Sequence, residues 1–382
     1  MQVCSPHCGL APETTSGGET YEREVLLGLA RLGVEVEVLL ARGKPVPPAP
    51  STLRVHRLPI GRGLRWPMAL FLLPPCIRRV HDRVGFDLLR AHSLRFIGPA
   101  ALWARRRYGW DVPVIAHHHH LDPSPLNGLI ERRVIEGADH VVTGSEFAVR
   151  QLRSTLGTRT DHVSVVPYGV DARFAPGPRK PELLARYGLE GKMVVLFLGG
   201  LKRRKNLFFL LDVWRAVVAA RPDARLIVAG SGPLREALAA RAAAAGIAET
   251  VLFTGYVSES EKPAHYNLAD VFLFPSAMEG FGLAIGEAMS SGLPVIASDR
   301  GSIPELLVDG EGGFLCDPSQ REAFVARLLA LLGDPALRER FGGANRERVD
   351  RYFRWERCAR ETRRVYEAVL ERRRRRPAGA VR

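Results

Sequence analysis

The chain has 382 residues, 46% of them hydrophobic and 25% charged, the proportions of a globular protein with room for two domains of ordinary size. Its longest apolar run, Met68-Ala69-Leu70-Phe71-Leu72-Leu73, stops at Pro74-Pro75, well short of the roughly 18 residues that cross a membrane. No basic-then-apolar leader opens the chain, the five cysteines fit a reducing compartment, and the net charge of +14 comes with no nucleic-acid-binding motif, so a cytoplasmic chain without a nucleic-acid partner is expected.

Met1-Gln2-Val3-Cys4 reads as a clipped strand before Ser5-Pro6. Cys4, His7 and Cys8 lie close together but have no second ligand pair, so no metal site is expected there. The loop from Thr14 to Glu19 carries Gly17-Gly18, and a helix over 20–32 follows with Val25, Leu26, Leu29 and Leu32 on its apolar face. Val34 to Leu40 alternates as a strand. Paired glycines at a helix start suit either close approach of a ligand or a tight turn. The mixed stretch from Gly61 to Val80 reads as a core helix, with docking at a lipid interface as the other option.

Pro113-Val114-Ile115-Ala116 is a buried strand opening into His117-His118-His119-His120. Successive residues cannot all face one metal, so one or two of these imidazoles should line the carboxyl end of the strand, where α/β proteins place ligands. Val163 to Asp171 ends the first half, and the Pro-rich segment from Ala172 to Pro181 reads as a linker.

A second β/α series then begins. A strand over 193–198 leads into Gly199-Gly200-Leu201-Lys202-Arg203-Arg204-Lys205-Asn206 and a helix through Ala219. Further strands are expected at Leu226 to Gly230, at Val251 to Tyr256 and at Val271 to Ser276, the last closing at Pro275. The last runs through Glu279-Gly280-Phe281-Gly282-Leu283 into a helix carrying Glu287. A glycine loop at a helix N-terminus offers free N–H groups and a positive dipole end to a phosphate, and flanking carboxylates can accept from sugar hydroxyls. Four cations before a helix oppose its dipole, and such a cluster calls for an anion. Two alternating halves about a linker predict an α/β protein of two doubly wound, Rossmann-like domains facing across a cleft.

The charge is concentrated at the end. From Arg338 to Arg382 there are sixteen arginines against seven acids, and Arg372 to Arg376 is unbroken. The block reads equally as a solvated terminus and as an attraction for an anionic membrane surface.

Glu279-Gly-Phe-Gly through Glu287-Ala, then Gly292-x-Pro294-Val295, resembles the E-x7-E signature of the family-4 retaining glycosyltransferases (glycosyltransferase group 1) with the GT-B fold. Ser16-Gly17-Gly18, Pro113 to His119, Pro167-Tyr168-Gly169-Val170-Asp171, Gly230-Ser-Gly-Pro, Phe253-Thr-Gly-Tyr-Val and Gly301-Ser-Ile-Pro-Glu resemble further family motifs in the family's order. The resemblance implies an N-terminal acceptor-side domain over 1–171, a nucleotide-sugar-binding domain over 172–350, a helix over 351–371 that crosses back to the first domain, and a basic tail over 372–382.

The resemblance also implies roles. Glu287 would hold the donor ribose and Glu279 the transferred sugar. Backbone groups of Gly280, Phe281, Gly282 and Leu283 would approach the donor sugar and phosphates, as would Gly17 and Gly18, with Tyr256 and Val257 beside the base. Lys205 and Arg204 would meet the diphosphate. His119 would stand beside the sugar, a place that His118 and His120 also contend for. The implied reaction is retaining and independent of metal or cofactor. It moves a hexose from a UDP- or GDP-sugar to a hydroxyl of a glycan, glycolipid or small molecule, in the cytoplasm or at the inner membrane face. A sugar-nucleotide epimerase and a silent nucleotide-sugar-binding subunit are the alternatives.

Overall fold

The computed structural model describes residues 1–7, 9–14, 16–59, 65–119 and 124–375, and it divides into two compact units, Met1–Gly169 with Trp355–Arg382, and Val170–Arg354. Among the described residues the first unit holds seven strands: β1 (Gln2–His7), β2 (Glu35–Ala41), β3 (Leu53–Leu58), β4 (Leu88–Ala91), β5 (Val114–His118), β6 (His140–Thr143) and β7 (Val163–Val165). They form one parallel sheet in the order β3-β2-β1-β4-β5-β6-β7. Val3, Val36, Val38, Leu88, Val114, Ile115 and Val141 are buried, as strands covered by helices on both faces require.

The second unit repeats the plan with six strands among the described residues: β8 (Met193–Leu198), β9 (Ala224–Ala229), β10 (Val251–Gly255), β11 (Val271–Phe274), β12 (Val295–Ser298) and β13 (Gly313–Cys316). Their order is β10-β9-β8-β11-β12-β13, again all parallel. In each sheet the winding reverses once, between β1 and β4 and between β8 and β11. The loops leaving those strands diverge there and open a crevice at the carboxyl ends. This is the α/β GT-B architecture, each half a doubly wound sheet.

Four expectations change. The first strand is not clipped: β1 runs to His7 and pairs with β2 along its length. Beyond Cys4 it has no ladder to β4, so no strand asks for the N–H that Pro6 lacks, and its carbonyl is met by the His92 ring at 2.9 Å. The unit boundary lies at Gly169/Val170 rather than at 171/172. The terminal helix spans Trp355–Arg374, not 351–371. Residues 351 and 352 instead end the helix Pro335–Tyr352 of the second unit, and a break at Phe353-Arg354 separates the two. Arg354 sits in that break with its guanidinium on the carbonyls of Val170 and Asp171, both at 3.3 Å.

The terminal helix belongs to the first unit and packs on the helix Gly17–Arg31, where Arg363 donates to the Leu32 carbonyl at 2.9 Å. Its start is seated on Gly169, where a Cβ would lie 2.3 Å from the Trp355 nitrogen. The first arginines of the basic block are helical rather than tail. Arg373 binds Asp139 at 2.8 Å and also pairs with Asp111. Arg376 and the residues after it lie outside the described residues, as do Cys8 and His120. Among the described residues no helix is long and apolar enough to cross a membrane.

Candidate active site

The reversal of winding in the second sheet brings together the segments after β8 and β11. Arg203–Lys205 forms a single 3-10 turn closed by Asn206 in the left-handed region, φ 55°. That turn leaves Lys202, Arg203 and Arg204 exposed and drives Lys205 inward over the ring of Phe274, 4.5 Å from its centroid. Lys205 Nζ donates to Glu279 Oε1 at 2.6 Å, Arg204 Nη1 donates to the same oxygen at 2.8 Å, and the Ser276 hydroxyl donates to it at 2.6 Å. Burial by itself would push the Glu279 carboxyl up, but Lys205 and Arg204 outweigh it and hold the group below the ordinary carboxylate range. Lys205 is drawn below its ordinary value by burial, against the pull of Glu279.

The backbone of Glu279 is held as firmly as its side chain. Its carbonyl accepts from the Ser302 N–H at 3.2 Å and from the Ser302 hydroxyl at 3.1 Å. Gly301, at φ 67°, allows this approach, since a Cβ there would lie 2.6 Å from that oxygen. The loop continues through Gly280 and Phe281, whose ring meets Phe353 edge-on at 5.9 Å, to Gly282 at φ 97°. Gly282 precedes the helix Leu283–Ser290 and has no side chain to cap it, so the leading N–H groups stay available to an anion.

Glu287 faces the interior from the second turn of that helix. It accepts from the Tyr266 hydroxyl at 2.7 Å, and Lys262 Nζ stands 3.7 Å away. Lys262 is held more closely by Glu259, at 2.5 Å, and Glu259 also pairs with Arg173 at 2.8 Å. Burial raises the Glu287 carboxyl above its ordinary range, Glu259 adds to that, and Lys262 opposes it. The site thus pairs two carboxylates with opposite shifts. Tyr256 follows β10 about half exposed, with Val257 buried beside it.

In the first unit, Gly17 and Gly18 open the helix Gly17–Arg31, and His119 follows β5. A Cβ on Gly18 would lie 3.8 Å from His119 Cδ2, so the glycine pair and this imidazole are neighbours. His119 Nδ1 meets the Tyr168 hydroxyl, and Nε2 lies 3.1 Å from Glu22 Oε1. His118 turns instead to Thr143, 3.3 Å from its hydroxyl. His117 is wholly buried between the hydroxyls of Tyr21, at 3.0 Å, and Tyr366, at 2.8 Å. Burial and then Arg90 hold it well below its ordinary value, hence neutral. Among the described residues no group of three His, Cys, Asp or Glu side chains is placed to hold a metal ion.

Several residues that meet the expected ones carried no local signal. Ser276 lies two residues past β11, Tyr266 and Lys262 sit on a five-residue helix, and Glu22, Arg90 and Tyr366 lie in ordinary helical or strand patterns. Tyr168 and Ser302 stood in motifs, but their contacts with His119 and Glu279 were not part of those motifs.

The fold and this pairing of a glycine loop with two carboxylates and two cations define a GT-B glycosyltransferase. Residues 15–174 match the model of Glycosyltransferase Family 4, and residues 180–348 match that of the Glycosyl transferases group 1. The chain is 31% identical over 312 residues to the GDP-mannose-dependent alpha-(1-6)-phosphatidylinositol monomannoside mannosyltransferase of Mycolicibacterium smegmatis, covering 77% of this chain and 81% of that one. It is 29% identical to the D-inositol 3-phosphate glycosyltransferase of an Arthrobacter species, covering 93% and 90%. Sucrose-phosphate synthase from Thermosynechococcus elongatus shares the fold with a TM-score of 0.79 at 23% identity, over 97% of this chain and 100% of that one. The chain belongs to the family-4, group 1 glycosyltransferases.

Proposed function

We propose that this glycosyltransferase moves a hexose from a nucleotide diphosphate sugar to an acceptor hydroxyl with retention of configuration and without a metal or other cofactor. The observation that carries this reading is the meeting of Lys205 and Arg204 on one oxygen of Glu279, at 2.6 and 2.8 Å. Two cations against one carboxylate leave a surplus positive charge beside a helix N-terminus, which suits a diphosphate both when bound and when leaving. The second oxygen of Glu279, outside that set of three donors, is the acceptor for hydroxyls of the transferred sugar. Glu287, raised by burial, gains most from new donors, and the two ribose hydroxyls are such donors. Same-face attack as the diphosphate departs needs no protein nucleophile. His119 is the first unit's group for the transferred sugar.

The GDP-mannose-dependent relative makes GDP-mannose the first donor to test, with UDP-sugars next, and lipid-linked or phosphorylated inositols the first acceptors among glycans, glycolipids and small molecules. The same reading has the chain act in the cytoplasm, at the inner membrane face, with the basic block from Arg372 to Arg376 drawn to anionic lipid. Co-sedimentation with anionic and neutral vesicles, with and without that block, tests this.

The decisive experiment is transfer from labelled UDP- and GDP-sugars across an acceptor panel, with product anomers read by NMR and chelator present. A retained anomer with chelator is expected, and Glu287→Gln should abolish donor binding. An inverted product, or transfer unaffected by Glu287→Gln, overturns the reading. Epimerisation without an acceptor, or donor binding without turnover, identifies the two alternatives.

A further inference from the structure

The first unit buries an ion pair that the proposed reaction does not use. Arg90, on β4, is fully buried and grips Glu22 with both terminal nitrogens, Nη2 to Oε1 at 2.9 Å and Nη1 to Oε2. Its remaining Nε donates to the Tyr366 hydroxyl at 2.9 Å. Tyr366 comes from the terminal helix, and its hydroxyl lies 2.8 Å from His117 Nε2. His117 is held neutral by burial, so of its two nitrogens one accepts and the other donates, between the hydroxyls of Tyr366 and Tyr21. These groups form one connected chain. The carboxylate of Glu22 ends it, pinned in place and with Oε1 facing His119.

A carboxylate can only accept, so the imidazole nitrogen that faces it must carry hydrogen. His119 Nε2 therefore donates to Glu22, and in the neutral ring Nδ1 accepts from Tyr168. The ring plane is held by Tyr21, edge-on with centroids 5.0 Å apart, and by Tyr168 at 5.9 Å. An imidazole beside a reacting sugar acts by which nitrogen bears the proton and where it points. Arg90 neutralises Glu22, so the carboxylate can direct the proton on His119 without adding an unpaired buried charge.

We infer that Glu22 is a positioning residue that fixes the tautomer and orientation of His119, and that Arg90 and Tyr366 of the terminal helix hold it to that task. The functional part of this inference rests on the proposed place of His119 beside the transferred sugar.

The test is the nitrogen-15 spectrum of the histidine rings in the full-length protein, with His119 assigned by loss of its signals in His119→Gln. The expected wild-type signature is the Nε2–H tautomer. Glu22→Gln removes the enforcement: whichever way the carboxamide turns, its NH2 meets one Arg90 nitrogen, the group facing Nε2 is no longer obliged to accept, and an admixture of the Nδ1–H form is expected. Tyr168→Phe leaves the Nε2–H tautomer in place, because a hydroxyl can donate or accept and dictates neither. If Glu22→Gln does not fold, the milder Tyr366→Phe still decides. Loss of one pin on Arg90 is expected to broaden or mix the His119 signals while the His118 signals stay fixed.

An Nδ1–H wild type overturns the inference, as does reversal by Tyr168→Phe, or a His119 spectrum indifferent to both Glu22→Gln and Tyr366→Phe. In transfer assays Glu22→Gln is expected to lower kcat by about tenfold or more with the donor KM unchanged. Should the chain transfer no sugar at all, the reading of the reaction fails while the spectra still decide the role of Glu22.

Discussion

Lys205 Nζ and Glu279 Oε1 lie 2.6 Å apart although 74 residues separate them in the chain, and both side chains are buried. Removing Glu279 strands the buried ammonium, and removing Lys205 leaves the buried carboxylate to Ser276 and the half-exposed Arg204, whereas removing both leaves no buried charge unpaired. Lys205→Met is expected to cost about 3 kcal/mol in denaturant unfolding. The double variant Lys205→Met/Glu279→Met should recover part of that loss. A double variant less stable than Lys205→Met would show that the pair's worth lies in attraction rather than in mutual neutralisation.

Arg204 shares the same oxygen from an exposed position, with 48% of its side chain accessible. Its ion pair is screened by water, so Arg204→Ala should cost under about 1 kcal/mol of stability. Turnover should fall on the order of 100-fold, the scale for losing one donor to a developing negative charge. Equal losses in stability for Arg204→Ala and Lys205→Met would contradict the difference in burial.

The two carboxylates should respond to pH with opposite signs. Glu279 lies below its ordinary 4.5 in the folded chain, so the stability it contributes is present above that value and is lost as pH falls through the folded one. Glu287 lies above 4.5, so its contribution is full below that value and is lost as pH rises through the folded one. Glu287→Gln, which keeps an acceptor for Tyr266, should therefore gain stability relative to wild type as pH rises from 4.5 to neutrality. Glu279→Gln should instead fall behind wild type as pH rises from the folded value to 4.5, and keep a constant deficit above that. Urea midpoints at several pH values give both curves, and parallel curves for the two variants would reject the assignment.

Gly169 seats the first turn of the terminal helix. With a Cβ 2.3 Å from the Trp355 nitrogen and 2.4 Å from its Cα, Gly169→Ala must displace backbone. A loss of about 1 to 3 kcal/mol is expected in thermal or chemical unfolding. Gly343, where a Cβ meets nothing within 4 Å, is the control, and Gly343→Ala should not destabilise.

The sequence by itself determined the alternation of strands and helices, the two halves, and the glycine loop between Glu279 and Glu287, because these depend on neighbours within a few residues. Apolar runs closed by glycine or proline mark strands and their ends whatever lies beside them. Where the reading failed, the missing information was lateral. Pro6 argued for a short β1 until the sheet showed that the ladder to β4 has already ended there, so no strand needs its missing N–H.

Only the tertiary structure decided which groups meet. Strand order sets β8 beside β11, and that adjacency delivers Lys205 and Arg204 to Glu279. It also turns the His119 imidazole to Gly18 and that of His118 to Thr143. Glu22 lies 97 residues from His119, and Tyr366 lies 249 from His117. Hydrogen bonds across such separations have no periodicity to read. They follow from which strand ends and helix faces the sheets bring side by side, and burial then makes each polar group depend on the partner it finds.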